Sequence, residues 1–258
     1  MTGASAGIGH ATAIAAAAEG ASVVAFARRQ DRLDALVRLI ESRGGRATAV
    51  AGDVTRPDDA ARLAHTAVET FGRLDVMICN AGIAYHGTLD ETPVEVMRRL
   101  VDVNVLGTFY TARAALEVFR RQGSGHLIAV SSIAGKRGVG GTAIYSATKA
   151  AQIGMIEAMR AEFVGTGLNA SLVYPVSTVT ELREAELRDY GRDVEGHGPK
   201  QSADEVARAI VEGIVRPRPE IYPHRTSKAL AVANSLAPGV VDRLVRRFGR
   251  KVTPPVSS

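Results

Sequence analysis

The chain has one cysteine and no tryptophan, and aromatic residues make up 5% of its 258 positions. A single thiol, Cys79, excludes an internal disulfide framework and fits a reducing compartment. Because Cys79 closes the run Leu74-Asp-Val-Met-Ile-Cys79, it is expected to pack at a strand end rather than to react. No apolar stretch reaches the length of a membrane-spanning helix and no secretory signal opens the sequence, so a cytoplasmic protein is expected. The histidines are scattered without metal-ligand spacing, and no metal is expected. Strong charge imbalance is also missing. A formal charge of +5, with arginines spread along helices, argues against a nucleic-acid partner. There are no repeats or low-complexity tracts, and no interior linker divides the chain.

What is present is enough apolar material, 46% of residues, to fill one core, arranged as alternating strands and amphipathic stretches. Strands are predicted over 21–27, 46–51, 74–79, 126–131 and 168–174, with a short edge strand at 220–222. Helices are predicted over 30–43, with Leu33, Leu36, Val37 and Ile40 on one stripe, and over about 57–71. Another is predicted to run from a cap at Thr92-Pro93 to about residue 121. Ser202-Ala-Asp-Glu205 reads as a capping box that opens a helix to about residue 215. Strands separated by helices of this length predict a doubly wound parallel sheet of three layers, an α/β fold. Its ligands would bind beyond the carboxyl ends of the strands.

Tyr145 and Lys149 stand four apart on a predicted helix and share a face. A cation beside a phenol favours the phenolate and draws its pKa toward neutrality, which suits proton transfer. Taken alone, a Tyr and a Lys four apart are more often mere neighbours on a helix. Upstream, Ser131-Ser132 ends an apolar run and puts hydroxyls at a strand mouth. At the other end of the chain, Thr2-Gly3-Ala-Ser-Ala-Gly7-Ile-Gly9 precedes an alanine-rich stretch. Glycines before a helix admit a ligand to free N–H groups and to the positive end of the helix dipole, a cradle for phosphate. A tight turn would use the same residues.

Together these segments resemble the short-chain dehydrogenase/reductase family over roughly residues 2–222. The matching motifs are the glycine loop, Gly52-Asp53-Val54-Thr55, Asn80-Ala81-Gly82, Val103-Asn104-Val-Leu-Gly107, Ser131-Ser132, Tyr145-Ser-Ala-Thr-Lys149 and Tyr174-Pro175. The resemblance implies a Rossmann-type catalytic domain over 1–222, a helical extension over 223–258 and a nicotinamide cofactor. It also implies a catalytic tetrad of Asn104, Ser132, Tyr145 and Lys149. Tyr145 would exchange a proton with the substrate oxygen, Ser132 would hold that oxygen, and Lys149 would hold the nicotinamide ribose. Asn104 would carry on its backbone a water linking Lys149 to solvent. Cofactor contacts are expected from Gly3, Ser5, Gly7, Ile8, Gly9, Arg28, Arg29, Asp53, Val54, Asn80, Ala81, Gly82, Tyr145, Lys149, Pro175 and Thr180. The reaction implied interconverts a secondary alcohol and a carbonyl compound, in an enzyme that works as a homodimer or homotetramer. The alternative is a cofactor-binding regulatory or scaffold protein without turnover.

At the end of the second expected strand, Ala27 stands where an acidic residue would select NAD, and Arg28 follows it. A guanidinium there grips a 2′-phosphate, so NADP(H) is expected over NAD(H). Residues 176–200, rich in turn formers with Gly191, Gly196 and Gly198, look like the family's substrate flap. Val176 departs from the family's glycine, and a β-branched residue does not readily take a left-handed conformation. Tyr85, His86 and 139–142 are expected to border the pocket.

Two features lie outside the pattern. The fold calls for a buried strand ahead of the glycine loop, yet the loop begins at residue 2, so the product is expected to begin upstream. Near the other end, Val240, Val241, Leu244, Val245 and Phe248 form a helical stripe flanked by Arg243, Arg246, Arg247, Arg250 and Lys251. Such a helix, extended by 229–237, fits peripheral contact with an anionic membrane, packing on its own domain, or a dimer interface.

Overall fold

The computed structural model of the chain describes residues 1–191 and 200–248, and only the backbone of residues 183 and 244–248. After the glycine loop come α1 (Gly7–Ala18), β1 (Ser22–Ala27), α2 (Gln30–Ser42), β2 (Arg46–Ala51), α3 (Pro57–Phe71) and β3 (Val76–Cys79). Then follow α4 (Val94–Leu100), a π-helical turn (Val101–Leu106), α5 (Gly107–Gln122), β4 (Gly125–Val130), the short α6 (Ile133–Lys136), α7 (Ala143–Glu162) and β5 (Leu168–Val173). The remaining elements are β6 (Ser177–Val179), α8 (Leu182–Tyr190), β7 (Lys200–Ser202), α9 (Ala203–Val215), β8 (Glu220–Ile221), α10 (Arg225–Leu236) and α11 (Pro238–Phe248).

Strand pairing is parallel throughout, β1 with β2 and β3-β4-β5-β8 in that order. Between β1 and β3 lie Met1 and Thr2, in the place reserved for the expected central strand. The Phe26 N–H donates to the Met1 carbonyl at 3.0 Å, and the Thr2 N–H donates to the Ile78 carbonyl at 3.0 Å. The Met1 ammonium donates to the Val24 carbonyl at 2.7 Å.

Strand periodicity sorts the core into two faces. Val24 and Phe26, Met77 and Cys79, and Leu127 and Ala129 pack with residues of α3, α5 and α7 on one face. Val23 and Ala25 face α1 and α2 on the other side, while Ile78, Ile128, Val130 and Val173 meet Val206 and Ile210 of α9 there. Helices on both faces of a parallel sheet make the expected three-layered α/β fold of Rossmann type. Cys79 is buried, and burial pushes its thiol up to about 12, so it is an inert packing residue.

Three local expectations are corrected. The helix after Pro93 has no cap from Thr92, whose Oγ1 donates to the Thr88 carbonyl at 2.8 Å; Pro93 itself takes the cap position. That helix is also not one α-helix to residue 121, because its ladder widens to a π turn around Asn104. Side chains compete for the Asn104 carbonyl, which accepts from Thr108 Oγ1 and Gln152 Nε2, both at 2.8 Å. Thirdly, 229–237 does not extend the last helix. Ala237 leaves the helical region at φ −144°, ψ 62°, since the residue before Pro238 is driven out of it.

The α10–α11 hairpin is fastened to the body at residue 137. Arg137 donates to Asn234 Oδ1 at 3.2 Å and pairs with Asp242, while Ala231 and Val241 are buried. The side chains of Leu244, Val245, Arg246, Arg247 and Phe248, together with Arg250 and Lys251, lie outside the described residues, as do Gly196 and Gly198 of the expected flap. Among the described residues no helix is long and apolar enough to cross a membrane.

Candidate active site

The glycine loop requires glycine at three positions, by backbone conformation or by close approach. Gly3 and Gly7 take φ of +68° and +54°. A Cβ on Gly9 would stand 2.2 Å from the Gly3 carbonyl oxygen, and one on Gly7 would stand 3.0 Å from Thr180. Asn80 ties this loop to the end of β3, donating from Nδ2 to the Thr2 carbonyl at 3.0 Å and the Gly3 carbonyl at 3.3 Å. The N–H groups of Asn80 and Ala81 both donate to Thr2 Oγ1, at 3.0 and 3.1 Å. The start of α1 has no side-chain cap at Ala6. Its first N–H groups therefore point, uncompensated by a side chain, toward the space above the sheet.

Above this loop is a cavity of about 290 Å³. Of the residues expected to hold a cofactor, Gly3, Ser5, Gly7, Ile8, Arg28, Arg29, Asp53, Val54, Asn80, Ala81, Gly82 and Thr180 border it. Gly9 sits behind the loop. Pro175 stands off the wall, its carbonyl accepting from the Ile133 N–H at 3.0 Å. Asp53 Oδ1 accepts from the Thr55 N–H and hydroxyl, both at 2.9 Å, which orients the carboxylate. Arg28 is exposed and makes no ion pair among the described residues. Val176 keeps a negative φ, as does every described non-glycine residue, and leads directly into β6.

The tetrad stands beyond Gly82 rather than on the cavity wall. A Cβ on Gly82 would be 3.2 Å from Asn104 Oδ1 and 3.4 Å from Lys149 Nζ. Tyr145 and Lys149 come from one face of α7, and Ser132 caps α6, its Oγ accepting from the Ala134 N–H at 3.1 Å. The Tyr145 phenol stands near enough to Ser132 for that hydroxyl to act on its titration. Lys149 is buried, 4% exposed, with Nζ 5.8 Å from the centre of the Tyr145 ring. Its ammonium donates to the Val130 carbonyl at 3.0 Å, the one acceptor it has among the described residues. Burial lowers its pKa to about 8. An ammonium so enclosed, with donors left over, suits the hydroxyls of a bound ribose.

Two readings of these residues change. Burial pushes the Tyr145 phenol up, an effect the Ser132 hydrogen bond opposes and the Glu186 carboxylate reinforces, so the phenol is not drawn down toward neutrality. The water expected on the Asn104 carbonyl finds both lone pairs taken by Thr108 and Gln152. The Asn104 side chain instead clamps the 82–84 loop. Its Oδ1 accepts from the Ile83 N–H, and its Nδ2 donates to the Ile83 carbonyl, both at 2.9 Å.

Sequence reasoning read 176–200 as a flap but missed the helix within it, α8. Leu182, Ala185, Arg188 and Asp189 close the cavity from above. The helix is anchored by Tyr190, whose ring meets Tyr85 edge-on at 5.3 Å, and by Glu186, which binds His86. Tyr85 therefore joins the apolar cluster around Val96 and Leu100, with Tyr145 at its margin. The neighbouring 139–142 segment meets Gly87, whose N–H donates to the Gly141 carbonyl at 2.7 Å. Only the unusual run of charge from residue 181 to 189 marked this helix in the sequence, and it names no partner.

Comparison with known proteins agrees with the fold. The family model described as short chain dehydrogenase matches residues 1–191. An uncharacterised oxidoreductase of Listeria innocua is 38% identical over 186 residues, 71% of this chain and 75% of that protein. A ketoacyl reductase of Nostoc is 34% identical over 254 residues, 96% of this chain and 88% of that protein. A short chain dehydrogenase/reductase from Burkholderia phymatum, solved in complex with NAD, shares the fold. Its TM-score is 0.83 at 24% identity, over 100% of this chain and 96% of that one.

Proposed function

The chain belongs to the short-chain dehydrogenase family, and from that membership we propose an NADP(H)-dependent oxidoreductase that interconverts a secondary alcohol and a carbonyl compound. The observation that carries the proposal is the placing of the buried Lys149 ammonium 5.8 Å from the centre of the Tyr145 ring, with Ser132 beside the phenol. When bound, the nicotinamide supplies or accepts the hydride. Ser132 and Tyr145 would bind the substrate oxygen, placing its carbon for that transfer. Tyr145, kept protonated by its surroundings, is suited to donate its proton to a developing alkoxide during reduction. Lys149 would hold ribose hydroxyls with its remaining N–H groups, and Asn104 would position the 82–84 loop against it. Keeping an ammonium in that enclosure lowers its pKa to about 8. A scaffold protein without turnover has no reason to bear the cost.

NADP(H) is favoured by the position of Arg28, exposed at the cavity edge beside Ala27, a strand end that carries no acidic side chain of its own. A carbonyl substrate also suits the Nostoc relative, a ketoacyl reductase. We read 1–222 as the catalytic unit and 223–258 as an extension fastened through Arg137. The inward turn of Ala231 and Val241 supports packing on the domain over a membrane surface. Exposed Leu106 and Phe109 support pairing of copies as a homodimer or homotetramer.

NADPH oxidation against a panel of carbonyl compounds, run with the wild-type chain and Tyr145→Phe, tests the proposal. The variant should lose about 10²- to 10⁴-fold in rate while binding NADPH as before. A variant turning over at the wild-type rate would remove Tyr145 from the mechanism.

A further inference from the structure

Arg29 spans the mouth of the cavity. Its Nη1 lies 3.1 Å from Glu181 Oε2, and its Nη2 donates to Ser5 Oγ at 3.1 Å. From the same helix, Arg32 Nη1 stands 3.6 Å from the other carboxylate oxygen, Oε1. Glu181 thus has one guanidinium at each oxygen, and it is the residue from which α8 starts. The contacts join three separate parts of the chain: the end of β1, the glycine loop and the arm that closes the cavity.

Two guanidinium groups and a serine hydroxyl around one oxyanion are also the donors that a phosphate monoester recruits. The end of β1 beside the glycine loop is where the adenosine ribose of a dinucleotide lies in a fold of this type. We propose that Glu181 competes with the adenosine 2′-phosphate. In the free protein its carboxylate occupies Arg29 and Arg32, and arrival of the phosphate displaces it and unties the α8 arm. The inference rests on the NADP(H) reading above. An adenosine lacking the 2′-phosphate leaves the tie in place, so the arm distinguishes the two cofactors. Arg29 and Glu181 are 41% and 38% exposed at their side chains, so the pair is weak and exchangeable, as competition requires. A dianionic phosphate with three acceptor oxygens outbids a single carboxylate for the same groups.

The test uses the full chain with adenosine 2′,5′-bisphosphate and 5′-AMP as probes. Affinities are read by titration calorimetry for wild type and Glu181→Gln, and hydrogen exchange follows the amides of 182–190 in the wild type. The wild type should bind the bisphosphate more tightly than 5′-AMP. Glu181→Gln should tighten the bisphosphate roughly three- to fivefold and leave 5′-AMP unchanged. The bisphosphate alone should speed exchange along α8. Equal effects on both probes, or none on the bisphosphate, would overturn the competition while leaving the NADP(H) reading intact. Should the wild type show no preference for the bisphosphate, that reading falls and the inference falls with it. The exchange measurement needs no variant, so a poorly folding Glu181→Gln would not shield the proposal.

Discussion

Glu186 and His86, far apart in the chain, are joined twice. The Glu186 carboxylate lies 2.8 Å from His86 Nδ1 and also accepts the His86 backbone N–H. Glu186 is 4% exposed, and the contact pins the middle of α8 to the loop that follows β3. Glu186→Ala removes the carboxylate that accepts from the His86 backbone N–H and meets its ring, which costs about 1–3 kcal/mol. Urea melts should show that loss, with new protease cleavage confined to α8. Glu186→Gln retains an acceptor and should lose less than half as much. An Ala variant as stable and as protease-resistant as wild type would show that Tyr190 and the ion pairs of Glu181 and Asp189 hold the helix without Glu186.

Arg28→Ala tests cofactor choice. A charged hydrogen bond to phosphate contributes about 1.5–3 kcal/mol, so the NADPH dissociation constant should rise about 10- to 100-fold. The constant for NADH should stay within twofold. Equal weakening of both cofactors in fluorescence titrations would show that Arg28 reads something other than the 2′-phosphate.

Glycine substitutions should separate the cradle from the scaffold. In Gly9→Ala the new Cβ would meet the Gly3 carbonyl oxygen at 2.2 Å, a backbone atom with nowhere to move. Dinucleotide binding should be lost, with a destabilisation of about 1–3 kcal/mol. Gly154 lies in α7 with nothing within 4 Å of its would-be Cβ. Gly154→Ala should stabilise the chain by about 0.5–1 kcal/mol through helix propensity, without changing cofactor affinity. Calorimetric melts with and without cofactor report both effects.

Lys149 makes stability depend on pH in a definite direction. Its folded pKa of about 8 lies below the ordinary value of 10.5, so between those values the unfolded chain binds more protons than the folded one. Folding stability contributed by this site therefore rises from pH 8 to pH 10.5 and is smallest below pH 8. At pH 7, Lys149→Met should be more stable than wild type by up to about 3 kcal/mol, and the gap should close toward pH 10.5. A gap that stays constant across that range would mean the ammonium is better solvated than its burial indicates.

Much of the site was legible because its residues act through local geometry. Tyr145 and Lys149 share a face by helical period alone, and Gly3, Gly7 and Gly9 mark a tight loop by their lack of side chains. Ala27 and Arg28 occupy the end of a strand whose apolar run is visible in the letters. The capping box at Ser202 and Glu205 formed as read, with the Glu205 N–H donating to Ser202 Oγ at 3.1 Å. The split at Asn104 and the break at Ala237 were harder, because each depends on which neighbour competes for a carbonyl or which rotation a following proline forbids.

What the sequence by itself determined is the order of strands and helices, the tight glycine loop ahead of α1, and the grouping of Ser132, Tyr145 and Lys149, since all follow from short-range periods and residue chemistry. Tertiary structure alone decided the rest. It brought Glu181 to Arg29, Glu186 to His86 and Tyr190 to Tyr85, and it raised the Tyr145 phenol where a local pairing rule lowers it. The physical reason is that ion pairs and desolvation depend on distance and enclosure in space, and neither is encoded in the spacing of residues along the chain.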